Sequence, residues 1–179
     1  MRKQKGFSLI ELLIVVAIIL IIAAIAIPNL IRSKIAANNS AAAATVRTLN
    51  TGEATYNSLY QSAGYATLAQ LGPGANTCPA AGATSTNACI IDFTLGCAAG
   101  TSGGKCVRDN FTYSITLPSS QDYVVSAYPN GANAGSADYC SAPDMVVRGQ
   151  QDPNASGTGP AGTAPTTDAS CQGGSYAPI

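Results

Sequence analysis

From Phe7 to Ile27 the chain is apolar at nearly every position, FSLIELLIVVAIILIIAAIAI, with one acid, Glu11, inside the run. Period two is absent and no polar stripe recurs, so a strand or a surface helix does not fit. A helix apolar on all sides is buried on all sides. At ~1.5 Å per residue the 21 positions span ~30 Å, the thickness of a bilayer core. Arg2, Lys3 and Lys5 precede the run and place the amino end in the cytoplasm by the positive-inside rule. Everything after Pro28 then faces away from the cytoplasm.

The pattern changes beyond Pro28. Over residues 29–61 the sequence is Ala-rich, and Ala42, Val46, Leu49, Tyr56 and Tyr60 recur at offsets of three and four, with Glu53 among them. One face of an amphipathic helix therefore packs on a second layer, with Tyr56 and Tyr60 as helix–sheet contacts. A single helix from Phe7 to about Gln61 measures ~80 Å. Pro28 lacks a backbone donor and crowds the preceding turn, so a kink or local melting is expected there. Gly52 is a second weak point.

Gly72, Pro73 and Gly74 open a loop region. Ile90–Leu95 (IIDFTL) reads as its one strand. Phe111–Leu117 (FTYSITL) alternates with period two, residues 118–122 turn, and Tyr123–Tyr128 (YVVSAY) returns. Met145–Arg148 (MVVR) is a third candidate. A small antiparallel meander with one face on the helix follows, since a lone hairpin is marginal. Residues 149–179 are rich in Gly, Pro, Ser and Thr, with few bulky apolar groups, and read as nearly structureless. The expected class is α+β. The segments are a leader (1–6), a membrane-spanning and polymerising half-helix (7–28), an amphipathic half (29–61), a globular head (62–148) and a loose C-terminal region (149–179).

Charge narrows the functions. Nine basic residues balance nine acidic ones, and without residues 1–6 the remainder carries six against nine. A nucleic-acid groove needs clustered Lys and Arg, so nucleic acid is not indicated. With no histidine, no paired carboxylates at a useful spacing and no phosphate loop, nothing points to an enzyme, and no cofactor is implied. All six cysteines, Cys78, Cys89, Cys97, Cys106, Cys140 and Cys171, lie beyond the apolar run. An even count outside the cytoplasm reads as disulfides, and the absence of CxxC pairs and histidine argues against a metal. Fifteen connectivities are open. Sequence neighbours give the simplest set: Cys78–Cys89, Cys97–Cys106 and Cys140–Cys171.

Glu11 carries the sharpest functional signal. A carboxylate in a membrane helix costs ~2.5–3.5 kcal/mol on insertion scales and marks a site by default. The run itself contains no cation. Cutting the chain between Gly6 and Phe7 creates one, the α-amino group of Phe7. Two plainer readings compete. Ala24-Ile25-Ala26 fits a secretory signal-peptidase site, which leaves Glu11 without purpose. A simple anchor whose Glu11 snorkels to the interface leaves Gly6-Phe7 and the continuing helix unexplained.

The basic leader, Gly6 before Phe7, Glu11 four residues on, the apolar helix and Pro28 together resemble type IV prepilins and the related pseudopilins of type II secretion. The detailed match covers about the first 60 residues. The resemblance implies cleavage after Gly6 by a membrane prepilin peptidase and N-methylation of Phe7 by the same enzyme. It implies that Glu11 pairs with the Phe7 amine of a neighbouring subunit, and that the helix bends or melts at Pro28 in filaments. The implied partners are copies of the chain itself, an inner-membrane assembly platform, and lipid before assembly. The implied location is the bacterial inner membrane first and an extracellular filament afterwards. The cysteine-rich head favours a pilin over a secretion pseudopilin. A minor pilin acting at the tip in adhesion or DNA binding is the third reading.

Overall fold

The computed structural model describes residues 7–75, 77–96, 104–131, 133–151, 165–173 and 175–179. One long helix and an antiparallel sheet are its main parts: α1 (Leu9–Leu59), then α2 (Leu68–Leu71), α3 (Phe93–Gly96), β1 (Lys105–Arg108), β2 (Phe111–Ser119), β3 (Asp122–Pro129), β4 (Ala137–Ser141), β5 (Arg148–Gln151), α4 (Asp168–Gln172) and β6 (Ala177–Pro178). The chain divides into two compact units, the first ending at Lys34 and the second beginning at Ile35.

The first unit is helical from Leu9. Its Leu, Ile and Val side chains point outward on every side and are exposed in the single chain, from Leu9 at 79% to Leu30 at 71%. The stretch is long and apolar enough to cross a membrane. The helix runs without a break through Pro28, so the proline does not melt it here. It does leave the Ala24 carbonyl without its usual helical donor.

In the second unit, α1 buries Ala42, Val46, Leu49, Asn50, Gly52, Glu53 and Tyr56 against the sheet. Gly52 interrupts nothing. A Cβ there would lie 3.5 Å from both Ile90 and Ile91, an ordinary packing distance, so the site sits against that loop without requiring a glycine. The strands pair in sequence order, β1-β2-β3-β4-β5-β6, each antiparallel to the next. Phe111, Tyr113 and Ile115 of β2 and Tyr123, Val125 and Ala127 of β3 face α1. Val124 and Cys140 point the other way and meet Cys171 and Tyr176. The sheet is thus covered on both faces, by α1 on one and by the C-terminal segment on the other.

Three sequence expectations change. Ile90–Leu95 is not a strand. Asp92 Oδ1 accepts the Leu95 amide at 2.9 Å and Asp92 Oδ2 accepts the Thr94 hydroxyl at 3.0 Å, which starts α3 instead. Met145–Val147 is not extended as a strand either: Met145 has φ +60°, and pairing begins only at Arg148. The described residues of the C-terminal region are more ordered than its composition implies. Ser170 reciprocates with Thr167 as a capping box on α4, and the Arg148–Gln151 and Ala177–Pro178 strands pair. Disulfides join Cys78 to Cys89 and Cys140 to Cys171. Cys106 is also disulfide-bonded, while its expected partner Cys97 lies outside the described residues.

Candidate functional site: the acid at the start of the long helix

Ser8 precedes α1 and Glu11 occupies its third position, the spacing of a capping box. The Glu11 side chain folds back, and its Oε2 accepts the Ser8 amide at 2.9 Å. The Glu11 amide in turn donates to the Ser8 carbonyl at 3.1 Å. A helix start gathers unpaired amides and a partial positive charge, so a carboxylate is stabilised there. The arrangement holds the acid within one turn of Phe7, a residue 81% exposed. No ion pair reaches Glu11 among the described residues. Gly6 and the basic stub lie outside them. The structure therefore places Phe7 beside Glu11 and leaves Pro28 far along the same helix.

A second feature escaped the sequence reading. The outward face of α1 in the second unit presents Ala37, Ser40, Ala44, Thr48, Thr51, Thr55 and Ser58, all exposed. Arg47 is its one charge. An ordinary solvated helix face carries charged side chains. Here the hydroxyls turn inward to the helix itself: Ser40 to Ala36 at 3.0 Å, Thr48 to Ala44 at 3.1 Å, Thr51 to Arg47 at 3.1 Å and Thr55 to Thr51 at 2.8 Å, each to a carbonyl oxygen. Such back-bonding satisfies a hydroxyl without water. Small residues let helices approach closely. The signal was legible as Ala, Ser and Thr at helical spacing, opposite the apolar face.

Glu53 is the third feature. It sits inside the apolar face, fully buried. Its Oε2 accepts the Ala66 amide at 2.9 Å, and Oε1 has no hydrogen-bond partner among the described residues. Burial pushes its pKa up to about 8, against a smaller lowering from the Ala66 hydrogen bond. The carboxyl fastens the chain leaving α1 back onto the helix. An acid between Leu49 and Tyr56 on the core stripe was the available signal.

The prokaryotic N-terminal methylation motif matches residues 1–27, the segment that carries Phe7 and Glu11. The chain is also similar to two pilins. It is 60% identical over 40 residues to the type IV wide pilus major component PilA4 of Thermus thermophilus, covering 22% of this chain and 30% of that protein. It is 46% identical over 54 residues to the type IV major pilin protein PilA of Myxococcus xanthus, covering 30% of this chain and 24% of that protein. The likeness thus spans under a third of each relative's own length. No solved structure matches the chain.

Proposed function

We propose that the chain is the precursor of a structural subunit of a type IV pilus. In this reading it is cut between Gly6 and Phe7, N-methylated at Phe7, and polymerised through α1 into an extracellular filament after residence in the inner membrane. The peptidase that cuts it and a membrane assembly platform are its processing partners. The observation that carries the reading is the surface of α1. From Leu12 to Ile27 it is apolar on every side, and its outward face beyond Ile35 is small, almost uncharged and self-satisfied in hydrogen bonds. Both surfaces call for neighbours: lipid first, then other helices. A contact that repeats without closing generates a filament.

Cleavage couples processing to assembly. It creates the Phe7 amine next to Glu11, and methylation leaves that amine charged. The carboxylate then has a counter-ion on an adjacent subunit, which relieves its cost in an apolar setting. The test is to shear cells that produce the protein and image the released fraction. Filaments built of this chain are expected. Retention of all of it in the periplasm contradicts the reading and favours a secretion pseudopilin; trace amounts confined to filament tips contradict a major-subunit role.

A further inference from the structure

Beside the outward face of α1 lies a cleft of about 360 Å³. Ala41, Ala44 and Thr48 form its floor, and Leu95 with Arg108 and Asp109 at the β1–β2 turn forms its wall. Counted with Asp92, which touches Arg108 from outside the lining, the charged cluster at this wall has one surplus negative charge. Arg108 lies 3.2 Å from Asp92 and 3.6 Å from Asp109, so two carboxylates share one guanidinium. Both acids remain about half exposed, at 53% and 51%. Each therefore keeps carboxylate surface open beside its contact with Arg108.

Three exposed cations lie on α1, Arg32, Lys34 and Arg47, and none is in an ion pair among the described residues. Arg47 belongs to the helix that floors the cleft. Copies in an open, screw-related assembly are displaced along the filament. A neighbouring α1 therefore meets the Ala41–Thr48 floor with an earlier or a later stretch of itself. The later stretch exposes Thr51, Ala54, Thr55 and Ser58 and brings no cation. Only the earlier stretch, with Arg32 and Lys34, supplies a counter-charge.

We propose that this cleft receives the Arg32–Lys34 stretch of a second copy of the chain, whose cations meet the surplus carboxylate at Asp109. The contact rests on the pilus-subunit reading and adds a register to it. The small floor admits a helix backbone closely, and the acidic wall selects which turn of that helix enters. Charge pairs of this kind fix alignment more than they add affinity.

The experiment uses the full chain in cells that assemble it. A photo-crosslinking amino acid at Thr48 is activated in intact filaments, and crosslinked dimers are mapped by mass spectrometry. The crosslink is expected next to Arg32 and Lys34 of the other copy. In parallel, Asp109→Lys is expected to lower sheared filament about tenfold, as like charges then face each other. Combining it with Arg32→Asp and Lys34→Asp is expected to restore most of that loss. Membrane levels and complete disulfide formation check that each variant folds. If the unaltered chain makes no filaments, the subunit reading falls and this contact with it. If filaments form but the Thr48 crosslink maps elsewhere, or the combined variant stays as poor as Asp109→Lys, the cleft proposal alone is overturned.

Discussion

The amide of Ser8 donates a hydrogen bond of 2.9 Å to the carboxylate of Glu11, and this single contact holds the acid at the amino end of α1. An isolated chain can thus keep Glu11 partly satisfied before a better partner arrives. A neutral amide offers less to a carboxylate than a cation does. The balance favours transfer of the acid to a charged amine once one is available on an adjacent subunit.

Glu11→Ala is therefore expected to leave cleavage after Gly6 unchanged while lowering filament yield at least about tenfold, since one lost charge-assisted hydrogen bond is worth ~1.5–3 kcal/mol. Intact-mass measurement of membrane protein reads the first effect, and quantification of sheared material reads the second. Normal filament yield from this variant contradicts the pairing.

Glu53 makes stability depend on pH. Its folded pKa, about 8, lies above the unfolded value near 4.5. The folded form thus holds the proton more tightly. Stability from this group is complete below about pH 4.5, declines as pH rises, and is lost once pH passes about 8. Glu53→Gln keeps an acceptor for the Ala66 amide and cannot ionise. It is expected to stabilise the protein by ~2–4 kcal/mol at pH 8–9, with little change near pH 4. Denaturation of the detergent-solubilised chain at the two pH values, with disulfides intact, measures this. An equal effect at both values contradicts it.

Gly72 and Gly96 bring α2 and α3 into backbone contact. A Cβ on Gly72 would stand 2.8 Å from the Gly96 Cα, and one on Gly96 would stand 2.6 Å from the Gly72 Cα. Neither backbone can yield as a flexible side chain does. Gly96→Ala is expected to destabilise the head by ~1–3 kcal/mol. A denaturation midpoint equal to that of the unaltered chain contradicts the close packing.

The Cys140–Cys171 disulfide spans 31 positions and anchors α4 behind the sheet. Removing both cysteines as Cys140→Ser with Cys171→Ser is expected to cost ~2–4 kcal/mol. Limited proteolysis is expected to cut the C-terminal segment first, because α4 covers Val124 through this bridge. Unchanged protease resistance contradicts that role.

The amino-terminal third was legible because its signals are local and strong. An unbroken apolar run and a core stripe through Val46, Leu49 and Tyr56 each specify a helix face without knowledge of a partner. The β2–β3 hairpin was legible for the same reason, as period two in FTYSITL and YVVSAY. The other strands were not. KCVR, ADYCS and RGQQ are short and polar, and they become strands only by pairing with the neighbours that shield them. The run IIDFTL misled because its apolar residues serve packing in a loop, and Asp92 turns the backbone into α3. Glu11 was legible as an anomaly in an apolar run. The buried carboxyl of Glu53 and the cleft at Asp109 depend on residues distant in sequence, Ala66 in one case and Asp92 with Arg108 in the other.

Amino-terminal analysis of filaments sheared from cells tests the central claim most directly. The account predicts a chain that begins with N-methylated Phe7, five positions from Leu12 and with Glu11 intact. A filament protein that begins at Met1, or a soluble product that begins after Ala26, contradicts it.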